Sequence, residues 1–265
     1  MTQEQESIML SVQFETAANG TSLTSSAQVR SRFPVFPPHL PDRADNSRPA
    51  IRVAEGVAPL DLNCLNSIIC TTRKIKRSEA LYRTNDQFNS IYTVRAGCFK
   101  TVVTHRDGNE QVTGFQLRGE TLGFDGVCTE RHSCDAIALE DSEVSVIRFA
   151  LLVSLCHEVS SMQRQLFRIM SGEIVRESGH MMMLGTMSAE QRVAAFLLDL
   201  SDRMTARGYS PVDFNLRMTR QEMGNYLGIK LETVSRMLSK LQKQGLLDAH
   251  GKHIRIVNRL GLSRV

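Results

Sequence analysis

The apolar residues between Met218 and Leu247 follow helical spacing in two short runs, which Gly228 separates. Thr219 and Glu222 open the first run. A hydroxyl and a carboxylate three residues apart form a capping box, which satisfies free N–H groups at the start of a helix. Gly228 can adopt the left-handed conformation that ends a helix. The pattern therefore predicts a short helix, a tight turn and a second helix.

The second helix is amphipathic and starts near Leu231. Its apolar face carries Val234, Met237, Leu238 and Leu241. Its polar face carries Lys230, Glu232, Ser235, Arg236, Ser239 and Lys240. Gly245 ends the helix, and the following stretch LLDAHGKHIRIV has the pattern of two short strands around His250 and Gly251. Together these features predict a winged helix-turn-helix, with an ordinary pair of helices in a helical domain as the alternative.

Residues 53–150 have a different pattern, in which short β-like runs alternate with turn residues. Near its start, LDLNCLNSIIC has helical spacing, with Leu62, Leu65 and Ile69 facing inward. Asp107-Gly108, between FKTVVTH and EQVTGFQL, is a strong hairpin signal. Together with corners marked by glycine, the runs predict an antiparallel roll of short strands.

From Leu151 to Leu184 no proline interrupts a pattern in which apolar residues recur on a heptad grid. This pattern predicts a long dimerisation helix over residues 151–185, and an amphipathic helix packed on its own domain is the alternative. A second capping box, from Ser188 to Gln191, starts a further helix. The positions of the predicted dimer seam are Phe167, Met170, Ile174, Glu177, Met181 and Leu184.

Residues 1–52 are rich in Ser, Thr, Asn, Gln and Pro, with four prolines between positions 34 and 41. Such a stretch buries little, and we expect it to be disordered in isolation. The chain is therefore predicted to be an α+β protein. Its parts are the tail (1–52), an antiparallel β-roll (53–150), a dimerisation helix (151–185) and a winged helix-turn-helix (186–265).

The distribution of charge favours a nucleic-acid partner. The net charge is +4, but residues 186–265 hold 13 lysines and arginines against 7 acidic residues, and the remainder holds 19 against 21. A basic module on a near-neutral body is typical of DNA-binding proteins. No apolar run approaches the roughly 18 residues of a membrane span. The N-terminus lacks the pattern of a signal peptide, so we expect a cytoplasmic protein.

Four stretches of the chain resemble the CRP/FNR family of bacterial transcription regulators, and the resemblance extends from residue 60 onward. The stretches are IYTVRAGCFK, DGNEQVTGFQLRGETLGFDG, RIMSGEI and MTRQEMGNYLGIKLETVSR. Glu232, Ser235 and Arg236 are similar to the FNR branch, because the cAMP-receptor branch has Arg where Leu231 stands and Gly where Ser235 stands. The resemblance implies a cyclic-nucleotide-binding-like roll, a homodimer, and double-stranded DNA and RNA polymerase as partners.

The resemblance also implies that the second helix reads TTGAT half-sites arranged as an inverted repeat. Arg236 can donate two hydrogen bonds to guanine, Glu232 can accept one from cytosine, and Ser235 leaves room for thymine methyl groups. Other residues would contact phosphates, which fixes the register without reading sequence. For each of these, a solvated surface position is the alternative. The phosphate candidates are Thr219, Arg220, Lys230 and Lys240.

The two common signals of the family do not match this sequence. In FNR proteins an oxygen-labile [4Fe–4S] cluster takes four thiolates, from an N-terminal group and one roll position. Here residues 1–63 contain no cysteine, and Ser145 stands at the roll position. In the cyclic-nucleotide branch a Glu and an Arg hold the ligand, but Phe124 and His132 stand there, with Arg131 one residue away. A cyclic phosphate would lack its charge partner, so we predict neither cluster nor cAMP.

The six cysteines do not have the spacing of a structural zinc site. Cys64 and Cys70, and then Cys128 and Cys134, are each separated by five residues. We therefore predict no metal site. Cys128 lies in a predicted surface loop beside charged residues, where a nearby cation could make it an oxidisable thiol. The alternative is that the cysteines are small buried hydrophobes.

An enzyme is the rival class, but the sequence contains no motif for nucleotide binding, serine hydrolysis or zinc proteolysis. The sequence therefore predicts a homodimeric, sequence-specific transcription regulator that controls genes of oxygen, redox or energy metabolism. Two alternatives stay open: a regulator of the same fold that responds to a cyclic nucleotide or another small ligand, and a thiol-based redox sensor. The pattern does not decide between activation and repression.

Overall fold

The computed structural model describes residues 69–265, and its first half is a roll of eight short strands. All strand pairings in the roll are antiparallel, as predicted. A single turn of 3-10 helix, Phe124–Gly126, follows the sixth strand. The strands are β1 (Ile69–Ile75), β2 (Ala80–Tyr82), β3 (Ser90–Ala96), β4 (Cys98–Thr104), β5 (Glu110–Leu117), β6 (Thr121–Leu122), β7 (Asp135–Ala138) and β8 (Ser142–Arg148).

The roll strands form two four-stranded sheets, in the orders β1-β8-β3-β6 and β2-β7-β4-β5. Ile75, Val94 and Val144 from the first sheet share an apolar cluster with Phe99 and Ala136 from the second. None of these side chains is more than 1% exposed. Because apolar burial contributes about 25 cal/mol per Å2, this shared cluster stabilises the roll.

The predicted turn at Asp107-Gly108 joins β4 to β5. Gly108 has a φ of 81°, in the left-handed region that glycine adopts easily. The His105 N–H donates to the Asn109 carbonyl oxygen across the turn at 2.8 Å. The hairpin prediction is therefore confirmed.

The helical prediction for LDLNCLNSIIC is wrong where the described structure begins, because Ile69 opens β1. The backbone of β1 pairs with β8 over most of its length. Pairing with β8 satisfies the backbone N–H and C=O groups of β1. In a short stretch this pairing outweighs the preference for a helix that the spacing of apolar residues indicates. The rest of that stretch and the predicted tail, 1–52, lie outside the described residues. Within residues 69–265 no helix is long and apolar enough to cross a membrane.

The chain does not form one long helix from Leu151, and that prediction is wrong. The helix breaks at Val159, whose φ and ψ are −122° and 97°. The break lets Leu152 before it and Met162 after it pack in the same apolar cluster of the roll. The second helix then ends at Thr186, one residue beyond the predicted end at 185. The three helices of this region are α1 (Phe149–Glu158), α2 (Ser160–Thr186) and α3 (Ala189–Thr205).

The C-terminal region is a winged helix-turn-helix, as predicted. The capping boxes at Ser188 and Thr219 both form. A further strand of three residues pairs with the wing. The sequence pattern does not predict this strand, because Phe214 is its one buried side chain and three residues are too few to show an alternation of apolar and polar positions. The elements are β9 (Asp213–Asn215), α4 (Arg220–Leu227), α5 (Leu231–Lys243), β10 (Leu247–His250), β11 (His253–Ile256) and α6 (Arg259–Leu262).

One apolar core runs from the roll into the C-terminal region. Val112 and Phe115 of β5 lie in the same cluster as Phe196 and Leu197 of α3 and Met223 of α4. None of the five is more than 3% exposed. The roll therefore positions the helix-turn-helix through a packed interface.

Candidate nucleic-acid interface

The helix-turn-helix is held by local contacts that its sequence dictates. The Glu222 N–H donates to Thr219 Oγ1 at 3.1 Å, and the Thr219 N–H donates to Glu222 Oε2 at 2.8 Å. Gly228 ends α4 with φ and ψ of 63° and 34°. A Cβ at Gly224 would lie 2.6 Å from the Ile229 carbonyl oxygen, so glycine is required where the turn folds back on α4. These contacts fix α5 relative to α4.

Helix α5 buries its apolar face and presents the predicted base-reading residues on the other. Its most buried side chains, each at most 1% exposed, are Val234, Leu238 and Leu241. Glu232 and Arg236 are exposed, and Ser235 is partly exposed. In the described part of the chain, no hydrogen bond or ion pair engages the Glu232 or Arg236 side chain. These two side chains are free to contact the edges of bases.

The phosphate candidates differ in how free their side chains are. Lys230, at the N-cap of α5, is exposed. The Thr219 hydroxyl donates to Glu222 Oε2 at 2.9 Å, and Lys240 Nζ pairs with the Glu190 carboxylate at 2.5 Å. Of the two candidate lysines, Lys230 is therefore the freer to reach a phosphate.

Two basic side chains fix the wing to the helix-turn-helix. Arg220 Nη2 donates to the Gly251 carbonyl oxygen at 3.1 Å, so this candidate supports the turn of the wing. Lys252 Nζ, on the other side of the same turn, donates to the Arg217 carbonyl oxygen at 3.1 Å. The sequence analysis missed both links, because each joins groups more than thirty residues apart in the chain; the lysine within HGKH was the one visible signal.

Helix α4 is also fastened to the outer edge of the β4–β5 hairpin. Asn225 Oδ1 accepts from the Val112 N–H at 2.5 Å, and Asn225 Nδ2 donates to the Glu110 carbonyl oxygen at 2.7 Å. Lys100 Nζ pairs with the Glu222 carboxylate at 2.8 Å. The amide of Asn225 thus pairs with strand β5 as a neighbouring strand would. These contacts tie the orientation of the helix-turn-helix to the roll.

A buried ion cluster around Glu120 joins the same two regions. Its carboxylate, only 11% exposed, lies 2.7 Å from Arg203 Nη2 and 2.5 Å from Arg207 Nη2. Arg176 Nη1 of α2 approaches the carboxylate at 3.7 Å. Burial raises the pKa of Glu120, but Arg203 and Arg207 outweigh burial and hold this pKa below its ordinary value. The carboxylate is therefore ionised when the cluster is formed.

Helix α2 carries an exposed apolar stripe along the predicted seam. Phe167, Ile174 and Met181, spaced seven residues apart, are 59%, 63% and 66% exposed in the single chain. Val175 and Met182 beside them are also exposed, and the sequence prediction did not include these two. Of the other predicted positions, Glu177 is exposed, whereas Met170 and Leu184 are half-buried against their own chain.

Comparison with known proteins adds to this geometry. Family models match as a cyclic nucleotide-binding domain over residues 72–159 and as a Crp-like helix-turn-helix domain over residues 191–265. The chain is 40% identical over 213 residues to transcriptional regulatory protein btr of Bordetella pertussis, and the matched region covers 80% of this chain and 88% of that protein. It is 39% identical over 205 residues to the fumarate and nitrate reduction regulatory protein of Escherichia coli K12, and the matched region covers 77% of this chain and 82% of that protein. The chain belongs to the CRP/FNR family of transcription regulators.

Solved structures agree with the CRP/FNR assignment. FixK2 from Bradyrhizobium japonicum superposes with a TM-score of 0.68 at 30% identity, over 73% of this chain and 96% of that one. The predicted fold class, with its antiparallel roll, long helices and C-terminal helix-turn-helix, is therefore confirmed.

At the position where the cyclic-nucleotide branch holds its arginine, the roll of this CRP/FNR regulator places a buried histidine. His132, at the position predicted to replace the arginine, is 2% exposed, and its Nδ1 lies 3.3 Å from the Asp125 carboxylate. Its ring stacks on Tyr82 with centroids 3.7 Å apart, and the Tyr82 hydroxyl donates to Asp125 at 3.2 Å. A cyclic phosphate here would meet a carboxylate instead of a free cation, so the side chains do not fit it.

The described thiols of this CRP/FNR regulator are mostly buried. Cys98, Cys134 and Cys156 are buried, and Cys128 is exposed. Burial raises the pKa of the Cys98 thiol to about 12. Ser145, the predicted replacement for a cluster ligand, is 5% exposed in β8. Within residues 69–265 no group of three or more His, Cys, Asp or Glu side chains could hold a metal ion.

Proposed function

We propose that this CRP/FNR regulator binds TTGAT-type inverted repeats as a homodimer and controls genes of oxygen, redox or energy metabolism. The observation that carries the proposal is the exposed face of α5, where Glu232 and Arg236 are free and Ser235 lies between them. Arg236 matches guanine, Glu232 matches cytosine, and Ser235 leaves room for thymine methyl groups. Relatives named for fumarate and nitrate reduction support the proposed class of target gene.

A gel-shift experiment tests the proposed DNA site. The full chain is titrated onto a duplex with two TTGAT half-sites in inverted repeat, one helical turn apart from centre to centre, and onto a duplex with the same bases scrambled. We expect at least about a thousandfold preference for the repeat, as is typical of specific over non-specific binding. Equal affinity for the two duplexes would overturn the proposed site.

The homodimer is supported by the apolar stripe on α2. Phe167, Ile174 and Met181 expose a row of large apolar side chains that a second copy would cover. Parallel pairing of two α2 helices places identical residues opposite each other, as in a coiled coil. Such a dimer presents two copies of α5, which matches the two half-sites of an inverted repeat.

Glu177 should weaken this dimer. It lies beside the apolar stripe and would approach its symmetry mate, and like charges in a partly dry seam repel. The neighbouring basic side chains on α2 have partners of their own, since Arg176 pairs with Glu173 and the His180 ring contacts the Tyr226 carbonyl oxygen at 2.8 Å. Replacing Glu177 with leucine should therefore lower the dimer dissociation constant by about tenfold or more. Sedimentation over a concentration series measures this constant.

The control for this prediction is Glu110→Leu, which removes an exposed glutamate on the β4–β5 hairpin, outside the stripe. It should leave the dimer constant unchanged. At low protein concentration the Glu177→Leu variant should also bind the operator more tightly, and at saturation it should match the wild type. An unchanged dimer constant in Glu177→Leu would show that Glu177 does not face the seam.

We also propose that the regulator works without an iron–sulfur cluster and without a cyclic nucleotide. The absence of cysteine from residues 1–63, the serine at position 145 and the Asp125–His132 pair support this proposal. Purified protein should be colourless, contain no stoichiometric iron, and bind its operator equally in air and under nitrogen with a reductant. A brown protein with four irons per chain would contradict this prediction.

Thiol oxidation is a second candidate signal, because Cys128 is exposed. If it operates, peroxide lowers operator binding, dithiothreitol restores it, and Cys128→Ser abolishes the effect.

RNA polymerase is the protein partner that we propose at the promoter. The chain is 42% identical over 202 residues to the transcriptional activator protein FnrA of Stutzerimonas stutzeri, which supports an activating role.

A further inference from the structure

A cleft of about 330 Å3, open to solvent, lies between the roll and the C-terminal region. Its walls come from turns of the roll on one side and from the end of α3, the loop after it and β9 on the other. The volume lies in the range of small-molecule sites and exceeds that of a single water or chloride ion. The charged and hydroxyl side chains that line it are Arg95, Arg118, Glu140, Arg207, Tyr209, Ser210, Asp213 and Arg217.

Four arginines and two carboxylates line this cleft, and two of the arginines pair with carboxylates outside it, Arg95 with Glu143 at 3.3 Å and Arg207 with Glu120 at 2.5 Å. The carboxylates have partners already. Glu140 Oε2 accepts from Arg217 Nη1 at 3.0 Å, across the boundary between the two regions. Asp213 Oδ1 lies 2.8 Å from His253 Nε2 of the wing. The Arg217–Glu140 pair is half-exposed, so an entering anion can share the Arg217 guanidinium at little cost.

Arg118 has unused hydrogen-bonding capacity at the mouth of the cleft. A guanidinium carries five N–H donors, and among residues 69–265 the partner of the Arg118 side chain is the Tyr209 hydroxyl, at 3.3 Å. Arg207 differs, because its guanidinium is committed to Glu120 and to the carbonyl oxygens of Arg118 and Arg203. Arg207 is thus held within the Glu120 cluster, and Arg118 remains available to a ligand.

We propose that this cleft binds a small dianion that carries two phosphate or carboxylate groups. One anionic group would accept hydrogen bonds from the Arg118 guanidinium and the Tyr209 hydroxyl. The other anionic group would accept hydrogen bonds from the Arg217 guanidinium. Guanidinium groups bind both kinds of anion through paired, charge-assisted hydrogen bonds. Because Arg118 belongs to the roll and Arg217 to the C-terminal region, the ligand would bridge the two. The proposal does not depend on the proposed DNA site, because anion binding is measured without DNA.

Isothermal titration calorimetry tests the site on the full chain, with pyrophosphate and citrate as probes in buffers of equal ionic strength. At least one probe should bind saturably with one site per chain, and comparison of the two identifies the preferred anion chemistry. Arg118→Ala should lower the affinity for that probe by about tenfold or more. Arg118→Lys should lower the affinity less, since lysine keeps the charge but cannot donate two parallel hydrogen bonds. Arg118 is exposed, so these variants should melt like the wild type.

Two matched variants separate the cleft from general attraction between anions and a basic protein. Arg106→Ala removes an exposed arginine from the β4–β5 turn, and Arg236→Ala removes one from α5. Both should bind the probe within about twofold of the wild type, as expected for charges outside the contact. If neither probe binds, or if Arg106→Ala or Arg236→Ala weakens binding as much as Arg118→Ala, the proposal is overturned.

Discussion

Replacing Arg236 with alanine should weaken binding to the cognate repeat by about 1–3 kcal/mol, or about 5- to 150-fold, and should relax discrimination at the guanine. The physical reason is the loss of two hydrogen bonds to one base edge from a side chain that is exposed and free in the unbound protein. No internal contact is lost with it, so the stability of the fold should not change. Binding isotherms on the repeat and on a duplex with the guanine replaced measure both effects.

The matched variant for this experiment is Lys230→Ala. Lys230 is an exposed cation at the N-cap of α5, suited to a phosphate. Its loss should weaken binding to all DNA roughly equally and reduce the slope of the salt dependence by about one. If Arg236→Ala lost affinity equally on specific and random DNA, Arg236 would be a phosphate contact, and the base-reading assignment would be wrong.

Replacing Glu120 with glutamine should lower the free energy of unfolding by about 3 kcal/mol, because removal of one partner from a buried ion pair leaves charge uncompensated. The carboxylate is 11% exposed, and Arg203 and Arg207 are 15% and 19% exposed, so solvent screens the cluster little. Chemical denaturation of the full chain measures the change. The control is Asp141→Asn, which breaks a solvent-exposed pair with Lys76 and should shift the transition much less.

The Glu120 cluster also predicts the direction of a pH dependence. The arginines hold the pKa of Glu120 below its ordinary value of 4.5, so the folded state favours the ionised form. The cluster contributes fully above pH 4.5, and its contribution is lost as the pH falls through the lowered pKa. The Glu120→Gln variant should therefore lose less stability than the wild type over this acid range. Parallel pH profiles for the two proteins would contradict the assigned role of Glu120.

Local signals in the sequence predicted much of the fold. The capping boxes at Ser188 and Thr219, the left-handed Gly228 and the Asp107-Gly108 turn depend on neighbours within a few residues, and all of them form. The apolar face of α5 follows from helical periodicity in the same way. Such features are encoded where they occur, because the partner groups lie close together in the chain.

The features that were missed depend on partners far away in the chain. The break at Val159 follows from where the roll places its apolar cluster, and β9 exists because the wing offers it a strand edge. Asn225 pairs with β5 more than a hundred residues earlier, and Glu120 meets arginines more than eighty residues later. Periodicity carries no information about such pairs. The base-reading and seam residues remain predictions until the DNA-binding and sedimentation experiments are done.

The apolar core that joins β5 to α3 and α4 limits where the chain can be divided into stable fragments. Phe115 of the roll lies against Phe196 and Tyr226 of the C-terminal region, with ring centroids 6.0 and 5.3 Å away. A cut between the roll and α3 would expose these rings on both fragments, together with the β5 backbone groups that Asn225 satisfies. Each fragment would then carry an exposed apolar face, and the roll fragment would also carry the open edge of β5; both features drive aggregation. Chimeras with relatives should accordingly exchange β5, α3 and α4 as one block.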